Sequence, residues 1–330
     1  MILAFVEHER GRLADESLEA LTLARRATSA SEDQLQAVMI GEPANGGAGS
    51  REALGTLGAF GVGTVHVASG ERLREYAPLA WARAVAQACE RSGAGVVVAP
   101  GTERGNEVMA HVAAILELPM AANCTEVRGG DPLEVTRLRW GGSLLEEALL
   151  DGSPKLLTVA PHAVAAEPAG SEHGDAAVLP FEPALTDSDV VVRVTGREQP
   201  PAGRISLGEA RVVVGGGRGM GGADGFKPLE ELADLLGGAV GCSRAVTSAG
   251  WRPHSDQIGQ TGARIAPELY IACGISGAIQ HIVGCKAAKR ILAINIDPEA
   301  PILAQADYAI LGDARQIVSA LVAELRASGT

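Results

Sequence analysis

Residues 258–281 read IGQTGARIAPELYIACGISGAIQH, two polar glycine-bearing loops on either side of one apolar run. Gly259-Gln260-Thr261-Gly262 leads in, Leu269–Ala272 reads as a buried strand, and Gly274-Ile275-Ser276-Gly277 leads out. Ser276 is a candidate N-cap for a helix that carries His281 five positions later. An α/β sheet offers backbone N–H groups to a nucleotide in this way: glycines admit a close approach, and a helix N-terminus supplies roughly half a positive charge. Plainer roles are open to the same residues. Thr261 can be an ordinary turn threonine, and His281 a hydrogen-bonded core histidine, which the residues alone slightly favour.

Gly215-Gly216-Gly217-Arg218-Gly219 follows a run of three valines, and Gly217, Gly219 and Gly222 satisfy GxGxxG. A dinucleotide-dehydrogenase site would also need an acidic residue ~20 positions on. The chain has Gly241-Cys242-Ser243-Arg244 there, which argues against that type of NAD site. Arg218 among glycines suits a pyrophosphate; the alternative is a tight turn without a ligand. Arg244 lies just past a second strand candidate, and it either faces a ligand crevice or pairs with Asp234 or Asp256. Asn295 and Asp297 end an apolar strand and Asp313 opens the last helix. These positions suit an adenosine ribose or base, or else a turn before Pro298 and a helix N-cap. No Ser-His-Asp, HExxH or Walker A arrangement is visible, and His8, His66, His111, His162, His173, His254 and His281 lack ligand-like spacing, so no metal site is expected.

These loops need strands to aim them. Strands are predicted at 2–6, 35–40, 64–67 and 95–99, with helices around 16–28, 48–59, 76–92 and 104–117. In the third helix Ala77, Ala80, Trp81, Ala84, Val85 and Ala88 follow a helical period. Such alternation predicts a mostly parallel sheet with helices on both faces. Residues 121–127, 133–140 and 155–160 read as antiparallel additions, 161–188 as surface loop, and 189–195 as a further strand. GREQPPAG at 196–203 is linker chemistry, which divides the chain into an N-terminal domain (1–195) and a C-terminal domain (204–330). The second domain restarts the alternation: strands at 211–214, 269–272, 291–296 and 308–311, a helix at 227–236, a short apolar link at 238–241, a helix from Ser276 and one from Asp313 to the end. The fold class is therefore α/β, two open, mostly parallel sheets, the second Rossmann-like.

Aromatic residues are 3% of the 330 residues, against 46% hydrophobic, so the core is aliphatic. A net charge of −12 disfavours nucleic acid and anionic membranes as partners. No apolar run approaches the ~18 residues of a membrane span, and neither a signal peptide nor an Arg/Ser-rich presequence opens the chain. Five cysteines (Cys89, Cys124, Cys242, Cys273, Cys285) without a CxxC pair read as buried free thiols in a reducing cytoplasm.

The order of GGGRG, GCSRA, GQTG, APELYIACGISGAIQH, AIN and DPEAPI resembles the alpha subunit of electron transfer flavoproteins. The likeness spans nearly the whole chain and is densest from 211 to 313. It implies an FAD in the C-terminal domain and a heterodimer with a beta subunit, which the N-terminal domain contacts. Electrons would pass from flavin dehydrogenases, often acyl-CoA dehydrogenases of fatty acid oxidation, to a quinone oxidoreductase or another acceptor, with no reaction catalysed on a substrate. The FAD contacts implied are Arg218, Ser243, Arg244, Ile258, Gly259, Gln260, Thr261, Ser276, Gly277, Ala278, Ile279, Gln280, His281, Asn295, Asp313 and Ala314. Among them Arg244 would lie near the isoalloxazine, Thr261 at N5 and His281 near the C2 carbonyl. Four positions depart from the family pattern: Ala263 and Ile296 stand where Lys is usual, Cys285 where Met is common, and Ala160 where Arg is frequent. Two alternatives compete with this reading, an FAD- or NAD-dependent oxidoreductase with its own substrate and a nucleotide-binding module without redox function.

Overall fold

The computed structural model describes residues 1–9, 11–28, 35–41, 48–170, 174–196 and 205–328. The chain forms two compact units, Met1–Arg197 and Glu198–Thr330. The predicted linker falls almost wholly outside the described residues, at 197–203.

The first unit contains β1 (Ile2–Val6), a small antiparallel pair β2 (His8–Glu9) and β3 (Arg12–Leu13), α1 (Asp15–Thr28), β4 (Leu35–Ile40), α2 (Ala48–Ala59), β5 (Thr64–Ala68), α3 (Pro78–Ser92), β6 (Val96–Pro100) and α4 (Glu103–Leu116). β7 (Met120–Arg128), β8 (Leu133–Arg139), β9 (Leu144–Leu150), β10 (Lys155–Val159) and β11 (Ala177–Phe181) follow. Nine strands make one sheet in the order β11-β5-β4-β1-β6-β10-β7-β8-β9. β1 is buried along its whole length because both faces are covered. Ile2, Ala4 and Val6 pack with Leu21 of α1 and Leu57 of α2, while Leu3 and Phe5 face Ala84 of α3 and Val108 of α4.

Three expectations are corrected here. Residues 155–159 are not an antiparallel addition: β10 lies between β6 and β7, parallel to both, and its run of buried Leu156, Leu157 and Val159 is the pattern of a strand covered on two faces. Within the nine-stranded sheet the antiparallel pairs among the described residues are β7–β8 and β8–β9. The predicted loop at 161–188 contains β11, which pairs parallel with β5 at the sheet edge. The predicted strand at 189–195 is absent: Asp187–Val190 is a 3₁₀ turn closed by a capping box between Thr186 and Asp189. Asp189, 2% exposed, also accepts from Arg83 Nε at 3.0 Å, while Val191 and Val192 stay exposed.

The second unit contains β12 (Val212–Gly216), α5 (Lys227–Leu235), β13 (Ala239–Cys242), α6 (Arg244–Ser248), β14 (Leu269–Cys273), α7 (Ile279–Cys285), β15 (Ile291–Asn295), β16 (Tyr308–Leu311) and α8 (Ala314–Ala327). The apolar link predicted at 238–241 is thus itself a strand. The sheet order β13-β12-β14-β15-β16 is all parallel. Val214, Ile271 and Ile294 pack on one face with Leu229 of α5 and Val318 of α8; Val213, Tyr270 and Ala293 pack on the other with Cys285 of α7. All five cysteines are free and buried, as expected from their apolar settings. Among the described residues no helix is long and apolar enough to cross a membrane, and no cluster of His, Cys, Asp and Glu is arranged to hold a metal.

Candidate functional site

In the second sheet the first strand of the unit, β12, lies between the second and third, so the chain leaves it towards both edges. Open α/β sheets bind ligands beyond the strand carboxyl ends at such a reversal. The loops after β12 and β14 meet there: Gly217 N–H donates to Cys273 O at 2.9 Å and Gly219 N–H to Gly274 O at 3.0 Å. A side chain at Gly217 would strike Gly274 and come within 2.7 Å of Ile275 Cα, so the two backbones touch only because glycine is present.

A cleft of about 680 Å³ opens over this contact, within the roughly 300–1,000 Å³ of small-molecule sites. Arg218 reaches it from the loop after β12, Ser243 and Arg244 from the end of β13, and Asn295 from the end of β15. Ile258, Gly259, Gln260 and Thr261 line another wall, anchored by Ile258 N–H to Cys242 O at 2.8 Å and Gln260 N–H to Gln280 O at 2.7 Å. Ser276, Gly277, Ala278, Gln280 and His281 complete it from the β14–α7 connection and the first turn of α7. Three expected residues do not line the cleft. Ile279 is 69% exposed at the start of α7, Asp313 caps α8 by accepting from Arg315 N–H and Gln316 N–H, and Ala314 is packed in the core beneath α8.

Ser276 is not the N-cap of α7. The helix begins at Ile279 after Ala278, which has no side-chain cap. Ser276 instead accepts Ile302 N–H at its carbonyl, 3.0 Å, and Gly277 takes φ +81° as the backbone passes Ile302. The N-cap position expected at Ser276 therefore falls two residues further on, at Ala278.

Arg244 and Arg218 are both exposed and make no ion pair among the described residues. Neither carboxylate proposed for Arg244, Asp234 or Asp256, pairs with it: Asp256 binds Arg252, with Nε to Oδ2 at 2.9 Å, and Arg252 also pairs with Glu230 and lies over the Phe226 ring. Two guanidinium groups are thus free to meet an anionic ligand. Asn295 plays the turn role foreseen for it: Nδ2 donates to Ile275 O at 2.8 Å and Oδ1 accepts Asp297 N–H at 3.1 Å. One amide hydrogen and one lone pair remain.

Gln257, 2% exposed, was not foreseen. Its Oε1 accepts from the Thr247 hydroxyl at 2.7 Å and its Nε2 donates to Thr261 Oγ1 at 2.9 Å. Because the Thr261 hydroxyl accepts from the amide, its own proton is left for the cleft. In the sequence Tyr270 is part of an apolar strand and carries no motif of its own. It is fully buried and its hydroxyl lies 2.8 Å from His281 Nε2. A phenol within a buried strand must find a partner, and that was the signal available.

His281 combines both of its foreseen roles. It is 6% exposed and bonded to a core tyrosine, yet it lines the cleft. Burial lowers its pKa to about 4, opposed by the backbone of Ile258, so the ring is neutral at pH 7. That backbone makes no full hydrogen bond with it, and Nδ1 is a buried nitrogen without a partner. The thiols of Cys242, Cys273 and Cys285 are pushed up to about 12 by burial and carry no thiolate chemistry at neutral pH.

An orphan imidazole nitrogen, a threonine proton, two unpaired guanidinium groups and glycine-lined backbone fit a flavin dinucleotide, with its pyrophosphate and ring of polar edges. Comparison with known proteins agrees. The electron transfer flavoprotein domain family matches residues 2–184, and the electron transfer flavoprotein FAD-binding domain family matches 206–286. The electron transfer flavoprotein subunit alpha of Thermoanaerobacterium thermosaccharolyticum is 34% identical over 329 residues, covering 98% of this chain and 97% of that one. Its counterpart in Mycobacterium leprae is 35% identical, covering 98% of each chain. A probable mitochondrial alpha subunit of Caenorhabditis elegans is 36% identical, covering 98% of this chain and 93% of its own. With both halves matched and relatives aligned almost end to end, this chain belongs to the electron transfer flavoprotein alpha-subunit family, FAD-binding electron carriers that are not enzymes with substrates of their own.

Proposed function

We propose that this chain holds FAD in the cleft of its C-terminal unit and works in the cytoplasm as a heterodimer with an electron transfer flavoprotein beta subunit. It takes electrons from flavin dehydrogenases, acyl-CoA dehydrogenases of fatty acid oxidation among them, and delivers them to a quinone oxidoreductase or another acceptor. In this reading residues 1–195 provide the contact with the beta chain, 196–203 link the domains, and 204–330 bind the cofactor. The observation that carries it is the convergence of residues from four strand ends on one cleft at the sheet's reversal point.

Bound FAD supplies the redox chemistry, accepting electrons and releasing them one at a time. The chain binds it and shapes its electrostatics. Arg218 and the glycine loop take the pyrophosphate. Arg244 lies beside the isoalloxazine and offsets negative charge on the reduced ring. Thr261, held by Gln257, directs its proton to N5, and His281 offers Nδ1 to the C2 carbonyl. Ser243, Ile258, Gly259, Gln260, Ser276, Gly277, Ala278 and Gln280 complete the walls, and Ile279 stands beside them at the exposed start of α7. Asn295 serves the adenosine end through its remaining amide hydrogen and lone pair, and Asp313 and Ala314, which do not line the cleft, bear on it by fixing the start of α8. Loss of the usual lysines at Ala263 and Ile296 removes positive charge, so the bound flavin is expected to be harder to reduce than in relatives that keep them. Cys285 and Ala160 are buried and act through packing.

Expression of the chain with and without its beta partner tests the reading. The expected product is a 1:1 complex with an oxidised-flavin spectrum, releasing FAD on denaturation. A colourless complex, or turnover of a small substrate by the alpha chain alone, overturns it.

A further inference from the structure

Tyr270 is the second residue of β14, fully buried, and β12 makes room for it. A Cβ at Gly215 would strike the Tyr270 hydroxyl and come within 2.7 Å of its ring. Among the described residues that hydroxyl has one partner, His281 Nε2 at 2.8 Å. The other ring nitrogen of His281, Nδ1, is buried, lacks a partner and belongs to a residue of the cleft wall.

We infer that Tyr270 is a positioning residue that sets the tautomer of His281, donating its hydroxyl proton to Nε2 so that the single ring proton sits on Nδ1 as a donor to the cleft. The two ways of making this hydrogen bond are unequal. If Nε2–H donated to the phenol oxygen, the phenol proton would be stranded in an apolar core formed by residues such as Val213, Ala272 and Ile291, and Nδ1 would have a bare lone pair. If the phenol donates, its proton is satisfied and the ring proton sits on Nδ1, which makes no full hydrogen bond within the protein although the Ile258 backbone also acts on the ring, and His281 is a residue of the cleft wall. Burial keeps the ring neutral, so only one nitrogen can carry a proton. A site built this way selects an acceptor, such as a ring carbonyl, and rejects a donor. Identifying that acceptor as a flavin carbonyl rests on the FAD reading above; the tautomer does not.

The alpha–beta complex labelled with ¹⁵N-histidine tests the inference. Long-range ¹H–¹⁵N spectra are expected to show His281 Nδ1 protonated and Nε2 unprotonated, unchanged from pH 5 to 8. Tyr270→Phe keeps the ring and removes the proton, and it is expected to give a mixture of tautomers. With FAD labelled with ¹³C at C2, the wild-type carbon signal reports a hydrogen bond that weakens in Tyr270→Phe, with flavin affinity falling about 2- to 10-fold. A wild-type spectrum with the proton on Nε2 overturns the inference, as does a folded Tyr270→Phe variant with unaltered His281 signals. If the variant does not fold, the wild-type spectrum alone decides. If the complex binds no FAD, the cofactor reading fails, while the tautomer is still read from the histidine signals.

Discussion

Gly217→Ala probes the contact on which the cleft is built. Gly217 has φ −111°, a value alanine adopts without strain, so the substitution acts through space alone. The new methyl would strike the Gly274 carbonyl and sit 2.7 Å from both the Gly274 carbonyl carbon and Ile275 Cα, where ordinary contact begins at 3.4 Å. All of these are backbone atoms and cannot swing aside. The loops must part by at least about 0.7 Å, which strains the hydrogen bonds from Gly217 to Cys273 and from Gly219 to Gly274. Overpacking costs about 1–3 kcal/mol and each weakened bond up to about 1 kcal/mol, so a loss of about 2–4 kcal/mol is expected. Gly237→Ala is the control. That glycine has φ +62° with nothing within 4 Å of a Cβ, so only the backbone cost of about 1–2 kcal/mol applies, away from the cleft. Urea denaturation followed by circular dichroism gives the stabilities, and flavin fluorescence gives the affinity. Gly217→Ala should lose both, and Gly237→Ala should lose stability alone. A Gly217→Ala protein with wild-type flavin affinity would refute the placement of the ligand over this contact.

Arg244→Gln should lower the midpoint potential of the bound flavin on the order of 40 mV, since an exposed guanidinium keeps only part of its attraction for a reduced anionic ring; potentiometric titration with an unchanged potential would place the ring elsewhere. Arg252→Met removes the cation paired with the poorly exposed Asp256 and takes one partner from Glu230, and a loss of about 2–3 kcal/mol in urea denaturation is expected. His281 has a folded pKa of about 4 against 6.5 for a free ring, so between these values the unfolded chain binds the extra proton. Its contribution is complete above about pH 6.5 and declines as pH falls towards 4, by up to about 3 kcal/mol; His281→Gln should remove this slope from the stability–pH curve.

Much of the fold was legible because its signals are local. Strands β1, β4, β5 and β6 are short apolar runs bounded by polar turns, and α3 keeps one apolar face in a helical period. Errors arose where pairing depends on remote residues. β10 follows the antiparallel β8–β9 hairpin in sequence, but its neighbours are β6 and β7, and only continuous burial of Leu156, Leu157 and Val159 marks it as central. The valine run at 190–192 has strand composition, yet Asp189 is drawn to Arg83, more than a hundred residues earlier, and the chain turns instead.

The site divides along the same line. Arg218, Ser243, Arg244 and Asn295 stand at strand ends, so the alternation that reveals the strands also reveals them, and Thr261 is marked by the glycines on either side of it at 259 and 262. Ser276 fits the local rule for a helix cap, but the tertiary contact of Gly277 with Ile302 overrides it and delays the helix to Ile279. Gln257, in the cleft wall, and Tyr270, behind it, belong to no recognisable motif. Each gives direction to a group already foreseen: Gln257 occupies the acceptor side of Thr261, and Tyr270 occupies one nitrogen of His281. Neither partnership can be read from spacing, since Gln257 and Thr261 lie in an irregular loop and Tyr270 meets His281 across a strand–helix junction. A ligand that must be met by a donor at both Thr261 and His281 is therefore specified by two buried side chains that need not touch it, and substitution of these hidden partners should alter the cleft's hydrogen-bonding polarity while leaving its shape intact.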